Sequence, residues 1–194
     1  MAVKALIVGL RGESSPGVRL LFVEVLAKID APEAERALAI AAIDDASEEV
    51  RLTCLDYLKT KKRPDVVAYF VSKLSSKKSN NATVNLAGIA LREMKDQSSI
   101  GPLIDALVTT HKFQIAPGGG EGSISPTFGS GPGGGGGGLL VGGRPRIIYR
   151  SIANQAVLDA LSAITGQNFS WDKSAWKAWL AAQKQPETLD ARRN

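Results

Sequence analysis

The chain has 194 residues, an apolar fraction of 44% and a net charge of +5; that leaves room for one packed domain with or without a flexible segment, and the charge alone is too mild to mark a nucleic-acid binder. A single cysteine, Cys54, and a single histidine, His111, exclude an internal disulfide, a cysteine-based zinc site and a histidine-rich metal centre. Aromatics make up 6%, so the core has to be built from Ala, Leu, Val and Ile, and no apolar run reaches the roughly 18 to 20 residues of a membrane span.

Ala2 to Leu10 predicts a helix rather than a secretory leader, because the apolar stretch is short, Arg11 interrupts it and no small-residue cleavage site follows. The pattern begins in mid-repeat, as a fragment lacking a leader would. On that expectation the compartment is cytoplasmic if Met1 is the native start and extracytoplasmic if a leader precedes it. Gly12 to Gly17 is a turn, and Val18 to Leu26 is a second helix with apolar side chains four and eight residues after Val18.

The same pattern returns. Val18-Arg19 opens one segment and Val50-Arg51 opens the next, 32 residues on; Val84-Asn85 opens a third after 34 more, and Ala153-Asn154 a fourth after a long interruption. Each copy follows a shorter apolar helix: Ala2 to Leu10, Glu33 to Ile43, Asp65 to Leu74 and Ile100 to Thr110. Pro32, Pro64 and Pro102 stand near the starts of those first helices, where a missing amide hydrogen costs nothing. Ser, Asp and Asn in the joins can accept the orphan amide hydrogens of the next helix. Two helices per unit, repeated about every 33 residues, predict an α-solenoid whose units bury one another's faces.

The stretch Ile43-Asp44-Asp45-Ala46-Ser47-Glu48-Glu49-Val50-Arg51 resembles the HEAT-repeat signature, including the phycobilisome-lyase-type HEAT-like repeats. The resemblance covers about 145 residues and is carried by the first two repeats. It implies a right-handed all-α solenoid of about four two-helix repeats. It also implies a structural ladder in which Arg19 and Arg51 pair with Asp44 and Asp45 between units; Asn85 and Asn154 replace the arginine later on. The run from Asn154 to Leu161, then Thr165-Gly166-Gln167-Asn168-Phe169, Trp171 and Trp176, resembles the end of bacterial HEAT-repeat proteins with no assigned activity.

Residues 112 to 150 interrupt the fourth repeat. Between Ala116 and Gly143 lie 14 of the 20 glycines, a composition that cannot offset its own ordering entropy, so the tip is expected to be mobile. Its flanks, Lys112 to Ile115 and Arg144 to Arg150, are β-prone and predict a short two-stranded ribbon. Residues 129 to 134 match G-x-G-x-x-G by letter, but they follow no strand and open no helix, so the match is a product of low complexity. A loop this long in a repeat array is either functional or a linker.

After the insertion, residues 151 to 184 hold the second helix of the fourth repeat and a capping helix over Lys173 to Ala182, with Gly166 as a C-cap and Ser170 or Asp172 as the N-cap. Phe169, Trp171, Trp176 and Trp179 gather there. They read as a lid on the open end of the solenoid, with a stacking platform for bases or sugars as the competing reading. Residues 185 to 194 predict a disordered tail.

No catalytic residue is identified, and no metal or cofactor is expected. His111 reads as a last-turn helix cap that no sequence pattern marks as a general base, and Cys54 as a small buried side chain. Charge is segregated: residues 30 to 49 carry seven acidic groups and one basic, whereas residues 59 to 78 carry seven basic and one acidic. These read as a solvated ridge, or as a docking surface for a charged partner or a second copy. The leading expectation is a non-catalytic protein-interaction scaffold with an unidentified protein partner. Its candidate contact residues are Lys61, Lys62, Arg63, Lys112, Phe113, Arg144, Arg146, Tyr149 and Arg150. Nucleic-acid binding through the same cations is the second reading. A phycobilisome-lyase-like or other enzyme-associated protein is the third, on fold analogy alone.

Overall fold

The structure is a computed structural model that describes residues 2–61, 63–75, 79–115 and 146–184. It is mostly helical, with a small two-stranded antiparallel sheet, and divides into a helical unit, residues 1–109 and 152–194, and a ribbon unit, residues 110–151.

The helices are α1 (Ala2–Gly12), α2 (Pro16–Lys28), α3 (Pro32–Asp44), α4 (Glu48–Lys61), α5 (Pro64–Lys73), α6 (Asn81–Met94), α7 (Ile100–Ala106), α8 (Gln155–Thr165) and α9 (Lys173–Lys184). Their boundaries follow from local chemistry. Proline occupies the first positions of α2, α3 and α5, where its fixed φ suits a helix start. Asn80 Oδ1 accepts from Thr83 N at 2.8 Å at the head of α6, and Asp172 Oδ1 accepts from Ser174 N and Ala175 N at the head of α9. Gly166, at φ 70°, ends α8 in the left-handed conformation that a side chain would strain.

Packing within the helical unit is regular. The helices pair as α1 with α2, α3 with α4, α5 with α6 and α7 with α8; the first helices α1, α3 and α5 also meet in succession, as do the second helices α2, α4, α6 and α8. The core between them includes Val23, Leu26, Leu38, Leu55, Leu58 and Leu91, all nearly or wholly buried. Five alanines of α3 are buried, which lets neighbouring backbones approach closely. One close approach joins α6 to α8: a Cβ on Gly88 would stand 2.9 Å from the Ala156 carbonyl carbon.

Two boundaries differ from the sequence expectation. The helix predicted over Ile100 to Thr110 stops at Ala106, and Val108–Ile115 is strand β1. Three successive β-branched residues, Val108-Thr109-Thr110, lose side-chain freedom in a helix and suit a strand. His111 therefore lies in a strand and not at a helix end. Its partner strand β2 runs Arg146–Ala153, so the fourth second helix starts at Gln155, two residues later than expected. No described helix is long and apolar enough to cross a membrane. The glycine-rich tip, Lys62, Lys77, Lys78, Arg144 and the tail 185–194 lie outside the described residues.

Candidate interaction surface

Arg19 and Arg51 occupy equivalent places at the heads of α2 and α4. Arg19 Nη1 donates to Glu13 O at 3.1 Å and Ser14 O at 2.9 Å; Arg51 Nη1 donates to Asp45 O at 2.8 Å and Ala46 O at 3.2 Å. Each arginine thus ties down the carbonyls of the turn six and five residues before it. Arg19 alone reaches the next pair of helices, where its Nε and Nη2 grip both oxygens of Asp45 at 2.9 and 2.8 Å. That bidentate hydrogen bond is the main cause of an Arg19 pKa raised above its ordinary value. Asp44 is exposed and forms no ion pair among the described residues. It lines a cleft of about 260 Å³ together with Ile7, Leu10 and Ile40.

Asn85 and Asn154, which stand where the earlier repeats have arginine, meet each other. Asn154 Oδ1 accepts from Asn85 Nδ2 at 3.1 Å and from Asn81 Nδ2 at 2.6 Å, while its own Nδ2 donates to Ala106 O and Thr109 Oγ1, both at 2.8 Å. Asn85 Oδ1 in turn accepts from Ala156 N at 3.2 Å. An amide network holds α6, α7 and α8 where an ion pair holds the first two pairs. Sequence reasoning did not find it; the substitution of asparagine at both positions was the available signal.

Two of the cations expected to dock a partner, Lys61 and Arg63, are engaged within the helical unit. Lys61 Nζ lies 3.1 Å from Glu35 Oε1 and 3.5 Å from Asp30 Oδ1, and Arg63 Nε lies 3.2 Å from Glu35 Oε2. Glu35 is buried, and neither contact has hydrogen-bond alignment, so these are ion pairs and no more. The acidic and basic segments meet across the α3–α4–α5 joins. Lys173, whose role the sequence did not disclose, donates to Asp105 O at 2.7 Å and Val108 O at 3.0 Å; burial lowers its pKa. An ammonium there satisfies carbonyls at the end of α7.

At the C-terminal end Trp176 is fully buried. Its indole donates to Ser170 O at 2.9 Å, and its ring stands edge-on to Phe169 at 5.0 Å and to Trp179 at 6.3 Å. Trp171 takes part in no ring pair among the described residues and is 38% exposed.

Exposed large apolar side chains of the helical unit include Val8 on α1, Val18, Leu21 and Val25 on α2, and Leu52 and Tyr57 on α4. In the ribbon unit, Thr110 and Ser151 touch through their hydroxyls at 3.1 Å, so the even residues of β1 and the odd residues of β2 share a face. That face carries Lys112, Gln114, Ile147 and Tyr149, all exposed, with Tyr149 at 69%. Phe113 and Arg150 are exposed on the opposite face, which also carries the buried His111.

No group of three or more His, Cys, Asp or Glu residues that could hold a metal ion occurs among the described residues. Burial, and secondarily Asp45, push the Cys54 thiol up to about 12, which removes it as a nucleophile near neutral pH. No family model, curated protein or solved structure matches this chain.

Proposed function

We propose that the chain is a non-catalytic scaffold: a HEAT-like solenoid of two-helix repeats that holds another protein on its second-helix layer, with the ribbon as an additional arm. The observation that carries this reading is the gathering of Val18, Leu21, Val25, Leu52 and Tyr57, exposed, on adjacent helices of that layer. Exposed apolar side chains on neighbouring helices favour a protein contact, and tyrosine is a common anchor in such contacts. The regular succession of first helices and of second helices supports the solenoid part of the reading. The nucleic-acid reading is disfavoured because Lys61 and Arg63 lie against Glu35, where their charge is already partly neutralised.

The test is affinity capture from the native host with three forms: the natural chain, a Leu21→Ser/Leu52→Ser/Tyr57→Ser triple variant, and a chain lacking residues 117 to 143. The reading expects a protein recovered by the natural chain to be lost with the triple variant. Loss with the loop deletion as well would assign the arm a share in binding. Equal recovery by all three forms, or recovery of nucleic acid that salt removes, would overturn it.

A further inference from the structure

The C-terminal end of the helical unit holds a cleft of about 490 Å³, within the size range of small-molecule sites. It lies between the 3₁₀ turn that leads into α7, the end of α8 and one face of α9. Its lining combines the apolar residues Ile100, Ile164 and Leu180 with Trp179 and three glutamines, Gln97, Gln167 and Gln183.

Two properties of this lining narrow the ligand. First, none of the lining residues among the described ones is charged. Second, its polar groups are open for use. The three glutamine amides and the Trp179 indole N–H have no hydrogen-bond partner among the described residues, and all three glutamines are exposed. Thr165, also at the cleft, is already committed, because its hydroxyl donates to Leu161 O at 2.7 Å and accepts from Gln167 N at 3.1 Å. The Trp179 ring is only half-buried and is held edge-on by Trp176, with 88° between the planes. A fixed aromatic face beside several amides, each offering both donors and an acceptor, suits a ring with an apolar face and a rim of hydroxyls.

We infer that this cleft is a binding site for a neutral saccharide, with a pyranose ring packed on Trp179 and its hydroxyls paired with Gln97, Gln167 and Gln183. A nucleotide would present an equally flat face to the indole. Its phosphates, however, would find no cation among the described lining residues, and charge is what dominates the binding of such ligands.

The experiment uses the full chain and follows the Trp179 indole N–H by proton–nitrogen NMR, with calorimetry in parallel. The probes are cellotetraose, chitotetraose and maltotetraose, with adenosine and AMP as competitors. The inference expects at least one tetrasaccharide to shift the Trp179 resonance saturably at millimolar concentration. Gln97→Ala and Gln183→Ala should each weaken that binding about fivefold, roughly one hydrogen bond's worth, with unchanged circular dichroism. These two exposed positions keep the test sound should Trp179→Ala, which also removes a ring contact, fail to fold. Silence from all three saccharides at tens of millimolar would overturn the inference. A response to adenosine or AMP alone, or saccharide binding untouched by both glutamine variants, would overturn it too.

Discussion

Asn154 is wholly buried and uses both ends of its side-chain amide, toward Asn81 and Asn85 on one side and Ala106 and Thr109 on the other. Truncation strands several buried polar groups at once, so Asn154→Ala is expected to destabilise the fold by about 3 kcal/mol, read by urea denaturation. Asn154→Asp should be as damaging, since a carboxylate cannot donate to the Ala106 carbonyl. Cys54 gives a second test. Its folded pKa of about 12 exceeds the ordinary value of 9.0, so the folded state keeps a proton that the unfolded chain releases. Stability from this group is complete below pH 9 and is lost as pH rises from 9 toward 12. Cys54→Ser should flatten that alkaline loss, and at pH 8 iodoacetamide should label the natural chain only as fast as it opens. Burial of Cys54 was legible from its place on an apolar stripe. The Asn154 network was not, because its members are separated by about 70 positions and each asparagine reads locally as a cap or a lost arginine.

At the level of elements, helices could be read from period and punctuation: proline at their heads, Asn80 and Asp172 as caps, and Gly166 at a close. The misplaced boundary at Ala106 shows where that reading stops. The apolar period runs on through Leu107 and Val108, and only the β-branched run with its strand partner some forty residues later turns the chain into β1. Gly88 was likewise invisible as a constraint, since α8, which crowds it, arrives after the insertion. Gly88→Ala forces a methyl to within 3 Å of the Ala156 backbone and is expected to cost about 1–3 kcal/mol despite the gain in helix propensity. Trp176→Ala, which empties the centre of the aromatic cluster, should cost about 3–5 kcal/mol, whereas Trp171→Ala, at an exposed position, should stay within about 0.5 kcal/mol. Thermal unfolding of the two variants side by side separates a lid from a decorative aromatic. The lid reading fails if both behave alike.

For the molecule as a whole, the segregation of acidic and basic runs was plain in the sequence, but its outcome was not. A run of charge does not say whether it faces a partner or another part of the same chain, and here Lys61 and Arg63 answer Asp30 and Glu35 across successive joins. The candidate contact surface moved accordingly, from the cations to the apolar side chains of α2 and α4. The place where the chain leaves and re-enters the helical unit bears on how the polypeptide can be handled. Asn154 N donates to Leu107 O at 2.9 Å, so the departing and returning segments of the chain meet inside the helical unit. The helical unit is then expected to fold without continuity of the backbone through residues 117 to 143. Two separately expressed pieces, one ending and the other beginning within the glycine-rich stretch, should find each other through α6 and α8 and restore the cooperative melting of the natural chain. A reporter divided at that point would register the reunion, and with it the integrity of the seam between α6 and α8.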